Sequence, residues 1–146
     1  MTATSKRDNL RLIAVTMNAK TIKERSTDIK SLLNYGYKNY KSVKVFSKDE
    51  LFMPMKFINS KNELDNVFIK DDIYITLKKE EPNNSYEYTY TINLDTAPIK
   101  KDEVIGTIEI YNSSGSMFIG ELILKDDIEI INWLEYFILV LKSLII

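Results

Sequence analysis

At Tyr40 the apolar pattern of this 146-residue chain changes its period. Before it, Ile22, Arg25, Ile29, Leu32 and Leu33 recur at three- and four-residue steps, which is one face of a helix. After it, apolar residues return at every second position, the period of a strand. A chain with that break joins a helix-bearing segment to a β unit, so an α+β fold is expected. Thr21 and Glu24 have capping-box spacing, so the helix is predicted over Thr21–Tyr40. Gly36 is expected to end it in a left-handed turn, with Tyr37 and Tyr40 packed over the exit.

Upstream of the helix, Met1–Ser5 reads as a short strand and Lys6–Asn9 as a polar turn. Leu10–Met17, LRLIAVTM, is an almost continuous apolar run and reads as a strand covered on both faces. Such a strand needs neighbours and a layer on each side, more than one helix and one stub supply. Residues 1–40 are therefore expected to be the end of a larger α/β domain.

Downstream, Val43 and Val45 alternate with polar residues. Met53, Met55 and Phe57 do so across Pro54, which predicts an edge or a bulge. Further candidates are Leu64–Ile69, Ile73–Leu77, Tyr86–Leu94, Val104–Tyr111 and Met117–Leu124. In the Tyr86–Leu94 stretch, Tyr86, Tyr88, Tyr90, Ile92 and Leu94 form one face. Asn112–Gly115 reads as a hairpin turn. About seven short strands at this spacing predict a small all-β sandwich over residues 41–125.

Residues 126–146 end in IEIINWLEYFILVLKSLII. Nineteen helical residues would span about 28 Å, close to the thickness of a bilayer's hydrocarbon core. Glu129, Asn132, Glu135, Tyr136, Lys142 and Ser143 fall in one arc, interrupted by Leu139 and Ile146. Each charge at the bilayer centre costs about 2.5–3.5 kcal/mol. An amphipathic helix lying in the membrane interface is therefore favoured over a span, with docking on protein as the other reading. The anchoring residues would be Trp133, Leu134, Phe137, Ile138, Leu141, Leu144 and Ile145. Lys142 is the cation of the segment, so apolar area must do most of the binding.

Composition removes several chemistries. With no cysteine and no histidine there is no disulfide, no zinc site built on those ligands, no thiol nucleophile and no histidine base. A net charge of −1 without a basic stripe argues against nucleic acid as a partner. Four glycines form neither G-x-G-x-x-G nor G-x-x-x-x-G-K, so no phosphate cradle and no cofactor is expected. The pairs Asp71-Asp72, Glu80-Glu81 and Asp126-Asp127 could hold a hard cation but read more simply as solvated turn residues. No serine has a lysine three positions on, as a serine acyl-transfer site of the S-x-x-K type requires. Thr27 and Lys30 have that spacing with the wrong nucleophile; Ser60-Lys61-Asn62 matches S-x-N; Lys20-Thr21-Ile22 lacks the glycine of K-T-G. No catalytic, metal or cofactor-binding residue is assigned. Met1–Asn9 holds no apolar segment of a signal peptide.

The order of segments nevertheless resembles a known family. Thr4–Val15, TSKRDNLRLIAV, is similar to the last catalytic-domain hairpin of the low-molecular-mass penicillin-binding proteins, the serine D-Ala-D-Ala carboxypeptidases akin to penicillin-binding protein 5. Lys30–Tyr37 resembles their closing helix. Ala97–Gly106, with Gly120-Glu121 later, resembles their C-terminal β domain, and the tail resembles their membrane anchor. The resemblance implies a family that removes the terminal D-alanine from peptidoglycan stem peptides through a serine acyl-enzyme, on the outer face of the cytoplasmic membrane. It also implies that S-x-x-K, S-x-N and K-T-G lie upstream of the hairpin, so no catalytic residue carries over.

The expected order is thus a strand–helix remnant of a penicillin-binding catalytic domain (1–40), the β domain (41–125) and an anchor helix (126–146). By itself the chain would be inactive, a C-terminal fragment serving as spacer and anchor. Its partners would be the membrane surface, the missing catalytic domain and cell-wall enzymes. The alternatives are a stand-alone β-sandwich interaction module at the cell envelope and a non-functional truncated gene product.

Overall fold

A computed structural model describes residues 1–112, 115 and 117–144, with the backbone alone at Met117, Leu139 and 142–144. Strands β1 (Thr2–Arg7) and β2 (Leu10–Val15) form an antiparallel hairpin. Its turn places Asp8 and Asn9 at positive φ, which short polar side chains tolerate. Helix α1 (Ile22–Asn39) covers one face of that hairpin. Thr21 caps the helix as predicted: the Glu24 N–H donates to its Oγ1 at 3.2 Å, and its own N–H donates back to the Glu24 carboxylate at 3.2 Å.

The end and the covered face of α1 differ from the expectation. Gly36 does not end α1, which continues to Asn39. Gly36 is buried, and a Cβ there would come within 2.5 Å of Leu12 Cδ1, so the glycine lets β2 lie close to the helix. The covered face of α1 is centred on Ile29 and Gly36, whereas Ile22 and Leu32 are exposed. Among the described residues β2 is covered on one face. Leu10 and Ala14 are buried, but Ile13 is 69% and Val15 51% exposed. An apolar composition marks residues able to be buried; it does not supply the layer that buries them.

The β unit follows without a linker, since β3 (Tyr40–Phe46) starts where α1 stops. β4 (Leu51–Met55), β5 (Asp65–Ile69), β6 (Ile73–Lys78), β7 (Glu87–Ile92), β8 (Val104–Tyr111) and β9 (Met117–Leu124) complete it. These are the strands expected from the period-two stretches, and the chain is mostly β-sheet. β3 pairs with β6, and the larger sheet has the order β4-β5-β9-β8-β7, antiparallel throughout. Pro54 sits on β4, an edge strand whose pairing shifts between Leu51 and Met53. β8 and β9 pair from Tyr111 and Met117 onward; Ser113 and Ser114 of the predicted turn lie outside the described residues.

The two sheets face each other across one core. β6 contributes Ile73, Ile75 and Leu77, and the large sheet answers with Val67, Ile69, Ile105, Ile108, Ile110, Leu122 and Leu124. Gly120 lets the layers meet, because a Cβ there would overlap the Ile73 side chain. Aromatic rings from the two edge strands of the large sheet meet beside this core. Phe52 of β4 packs edge-on against Tyr88 and Tyr90 of β7, and Phe46 of β3 joins them.

The predicted tail helix is shorter than the 126–146 segment. Residues 126–132 are not helical, with Ile128 buried opposite Ile99 and Ile130 bridged to Ser60. Helix α2 runs over Trp133–Leu144. Ile128 contributes more by filling the β core than by extending an exposed helix.

Candidate functional site

The α2 root is built from two segments. Lys61 N–H donates to the Glu129 carbonyl at 3.1 Å, and Ile131 N–H to the Asn59 carbonyl at 2.9 Å. Asn132 then caps α2: Glu135 N–H donates to its Oδ1 at 2.9 Å, while its own N–H donates to Glu135 Oε2 at 3.2 Å. Lys61 Nζ lies 3.4 Å from Glu135 and 4.0 Å from Glu129. One lysine of the β unit thus compensates both carboxylates beside the apolar helix. Tyr136 and Ile131 line a groove with Phe57, Ile58 and Lys56 at this junction.

Beyond that root the described apolar side chains of the helix are exposed. Trp133 is 80% exposed, Phe137 55%, and Leu134, Ile138 and Leu141 are exposed as well. Leu144 has only its backbone described, and Ile145 lies outside the described residues. With α2 starting at Trp133, Glu129 and Asn132 leave the predicted polar arc of the helix. Among the described residues, no helix is long and apolar enough to cross a membrane.

The residues screened for chemistry hold the fold instead. Thr27 Oγ1 donates to the Lys23 carbonyl inside α1, and Thr21 is its cap. Ser60 Oγ donates to Asp65 and accepts the Asn62 N–H, which closes a turn. Asp72 is paired with Lys44 at 2.9 Å and accepts the Lys48 N–H at 2.8 Å. These contacts hold its carboxyl below the ordinary value, the Lys44 hydrogen bond first, and the same bond raises Lys44. Lys70 is raised likewise by its hydrogen bond to Glu121. Asp127 accepts the Lys101 N–H at 2.7 Å. Among the described residues, no group of acidic side chains is placed to hold a metal.

Sequence reasoning missed the Asn132–Glu135 cap, although N-x-x-E before an apolar run is the signal for it. It also missed Lys61, which no local pattern could have linked to Glu135 across the fold. Asn112 is buried, and its Nδ2 donates to the Thr76 carbonyl at 3.0 Å, so this turn residue also ties β8 to the smaller sheet.

Comparison with known proteins gives a consistent result. Residues 40–129 match the family described as penicillin-binding protein 5, C-terminal domain. D-alanyl-D-alanine carboxypeptidase DacF of Bacillus subtilis is 24% identical over 130 residues, covering 88% of this chain and 33% of that protein. D-alanyl-D-alanine carboxypeptidase DacC of Escherichia coli is 28% identical over 131 residues, covering 88% and 32%. The chain thus spans about a third of the length of these curated relatives. Among solved structures, penicillin-binding protein 5 of Haemophilus influenzae superposes with a TM-score of 0.71 at 22% identity, over 88% of this chain and 38% of that one. A peptidoglycan synthesis regulatory factor (PBP3) of Streptococcus pneumoniae gives 0.72 at 18% identity, over 88% and 39%. At these identities the superpositions speak for the fold.

Proposed function

Because the chain belongs to the penicillin-binding protein 5 C-terminal domain family, we propose that it is the spacer and membrane anchor of a D-alanyl-D-alanine carboxypeptidase. The enzyme would trim peptidoglycan stem peptides at the outer face of the cytoplasmic membrane. The observation that carries the anchoring role is the exposed apolar surface of α2, which lies beyond the residues matched to the family domain. Glu135, Tyr136, Lys142 and Ser143 recur along one side of the helix, so it would lie along the surface rather than cross it. The exposed Ile13 and Val15 of β2 suit a further layer, which the catalytic domain would supply. The chain itself brings no S-x-x-K, and its role would be to hold that domain at a set height.

The anchor is tested with vesicles of phosphatidylcholine. The full chain is expected to sediment with them, and a chain ending at Asn132 to stay in solution. Binding should change little with salt, because apolar area drives it. A shortened chain that still sediments would remove α2 from the role. The enzymatic context is tested with an antibody against residues 42–124 on membranes labelled with fluorescent penicillin. A larger band that takes up penicillin supports the reading; an unlabelled band at 17.0 kDa moves it to the stand-alone module.

A further inference from the structure

The two edges of the large sheet are built differently. β4 carries Pro54 and a register shift, devices that keep another strand from adding to it. β7 carries neither. Its pairing with β8 runs unbroken from Glu87 to Ile92, and among the described residues no strand is hydrogen-bonded to its other edge. Residues 87–91 are all exposed, with Tyr88 and Tyr90 each 48% accessible despite their contacts with Phe52. The segment Glu87–Ile92 contains no lysine, proline or glycine. An edge of this kind is a template for a further strand.

At the centre of that edge, Tyr88-Thr89-Tyr90 reads the same in either direction around Thr89. In an antiparallel pair, directly opposed residues share a face, so a twofold axis must pass through a residue position. With the axis at Thr89, Thr89 opposes Thr89 of the second copy, Tyr88 opposes its Tyr90, and Glu87 opposes its Thr91. Both tyrosine pairs then lie on the aromatic face, the threonine pair lies on the other, and no carboxylate opposes a carboxylate. Aromatic and threonine cross-strand pairs are the kinds that stabilise a sheet, and like charges directly opposed are the kind that destabilise one. We propose that β7 is a self-association edge through which two copies of this chain pair antiparallel about Thr89, joining their large sheets into one. This does not rest on the carboxypeptidase reading. Were that reading right, confinement to a membrane would raise the effective concentration of a weak edge contact.

The chain has no cysteine, so one can be introduced without background. Opposed residues on paired strands lie within disulfide range. The full chain carrying Thr89→Cys, in non-ionic detergent under mild oxidation, is expected to form a disulfide dimer at least tenfold faster than Glu109→Cys. Glu109 is exposed on β8 directly beside Thr89 and serves as the control for chance encounters in a micelle. A mixture of Glu87→Cys and Thr91→Cys should cross-link faster than either alone. Thr89→Lys sets two ammonium groups against each other at an exposed position. It should leave the melting temperature unchanged and weaken dimerisation at least tenfold in sedimentation velocity. Equal cross-linking of Thr89→Cys and Glu109→Cys, or a chain that stays monomeric at all concentrations, overturns the proposal.

Discussion

Single residues set how closely the layers approach. A Cβ on Gly106 would overlap the carbonyl oxygen of Thr91 in β7, a backbone atom that cannot turn aside. Gly106→Ala should therefore lower stability by about 1–3 kcal/mol, the cost of overpacking. Gly36→Ala meets only the tip of Leu12 and gains helix propensity, so its change should stay within about 1 kcal/mol. Chemical denaturation of both variants checks the contrast. The Lys44–Asp72 pair gives a second residue-scale expectation. Asp72 is held below its ordinary value of 3.8, so its contribution is present above that pH and fades as pH falls through the lowered value. Lys44 is raised above 10.5, so the contribution persists below that pH and is lost as pH rises through the raised value. Asp72→Asn should thus differ from the parent by a constant melting-temperature gap between about pH 5 and 9, closing at both extremes. Both groups reach solvent, so the gap should be small and shrink with salt.

At the scale of elements, α2 depends on its start. The helix is short and its described apolar side chains are exposed, so the Asn132–Glu135 cap and the Lys61 contact carry much of its definition. Removing an N-cap of this kind costs about 0.5–2 kcal/mol. Asn132→Ala should raise amide exchange at Glu135 about twofold to thirtyfold in water, the ratio those energies convert to. On vesicles the difference should narrow, because burial of the apolar side chains would itself favour the helix. An unchanged exchange rate in water would mean that packing, not the cap, holds the first turn.

For the whole molecule, the β unit closes later in the chain than the strands imply. Ile128 is 2% exposed and exchanges two backbone hydrogen bonds with Ile99, at 2.8 and 3.1 Å. A chain of residues 40–131 should melt cooperatively. One ending at residue 125 loses Ile128 from the core, a loss comparable to an isoleucine-to-alanine change of about 2–5 kcal/mol. Its melting temperature should fall by at least about 8 °C. Equal melting of the two chains would show that Ile128 is only laid against the surface.

The positions of the strands, the start of α1 and the family resemblance were legible in the residues alone. Each rests on local signals: a period of two or 3.6, a capping box, turn residues, and a run such as Ala97–Gly106. Local signals did not tell where burial would be found. Gly36 is a helix terminator by type, yet it stands inside α1 because Leu12 comes from another element to fill its place. Ile13 and Val15 are core residues by type but exposed, since no described layer lies over them. Ile128 belongs to an apolar tail by sequence and to the β core by contact with Ile99, 29 residues earlier. Which segments become strands and helices follows from the residues alone, because backbone preference and side-chain period act over a few residues. Which faces are covered, the meeting of Lys61 with Glu135, and the lack of a described strand hydrogen-bonded beyond β7 depend instead on residues far apart in the chain that only folding brings together.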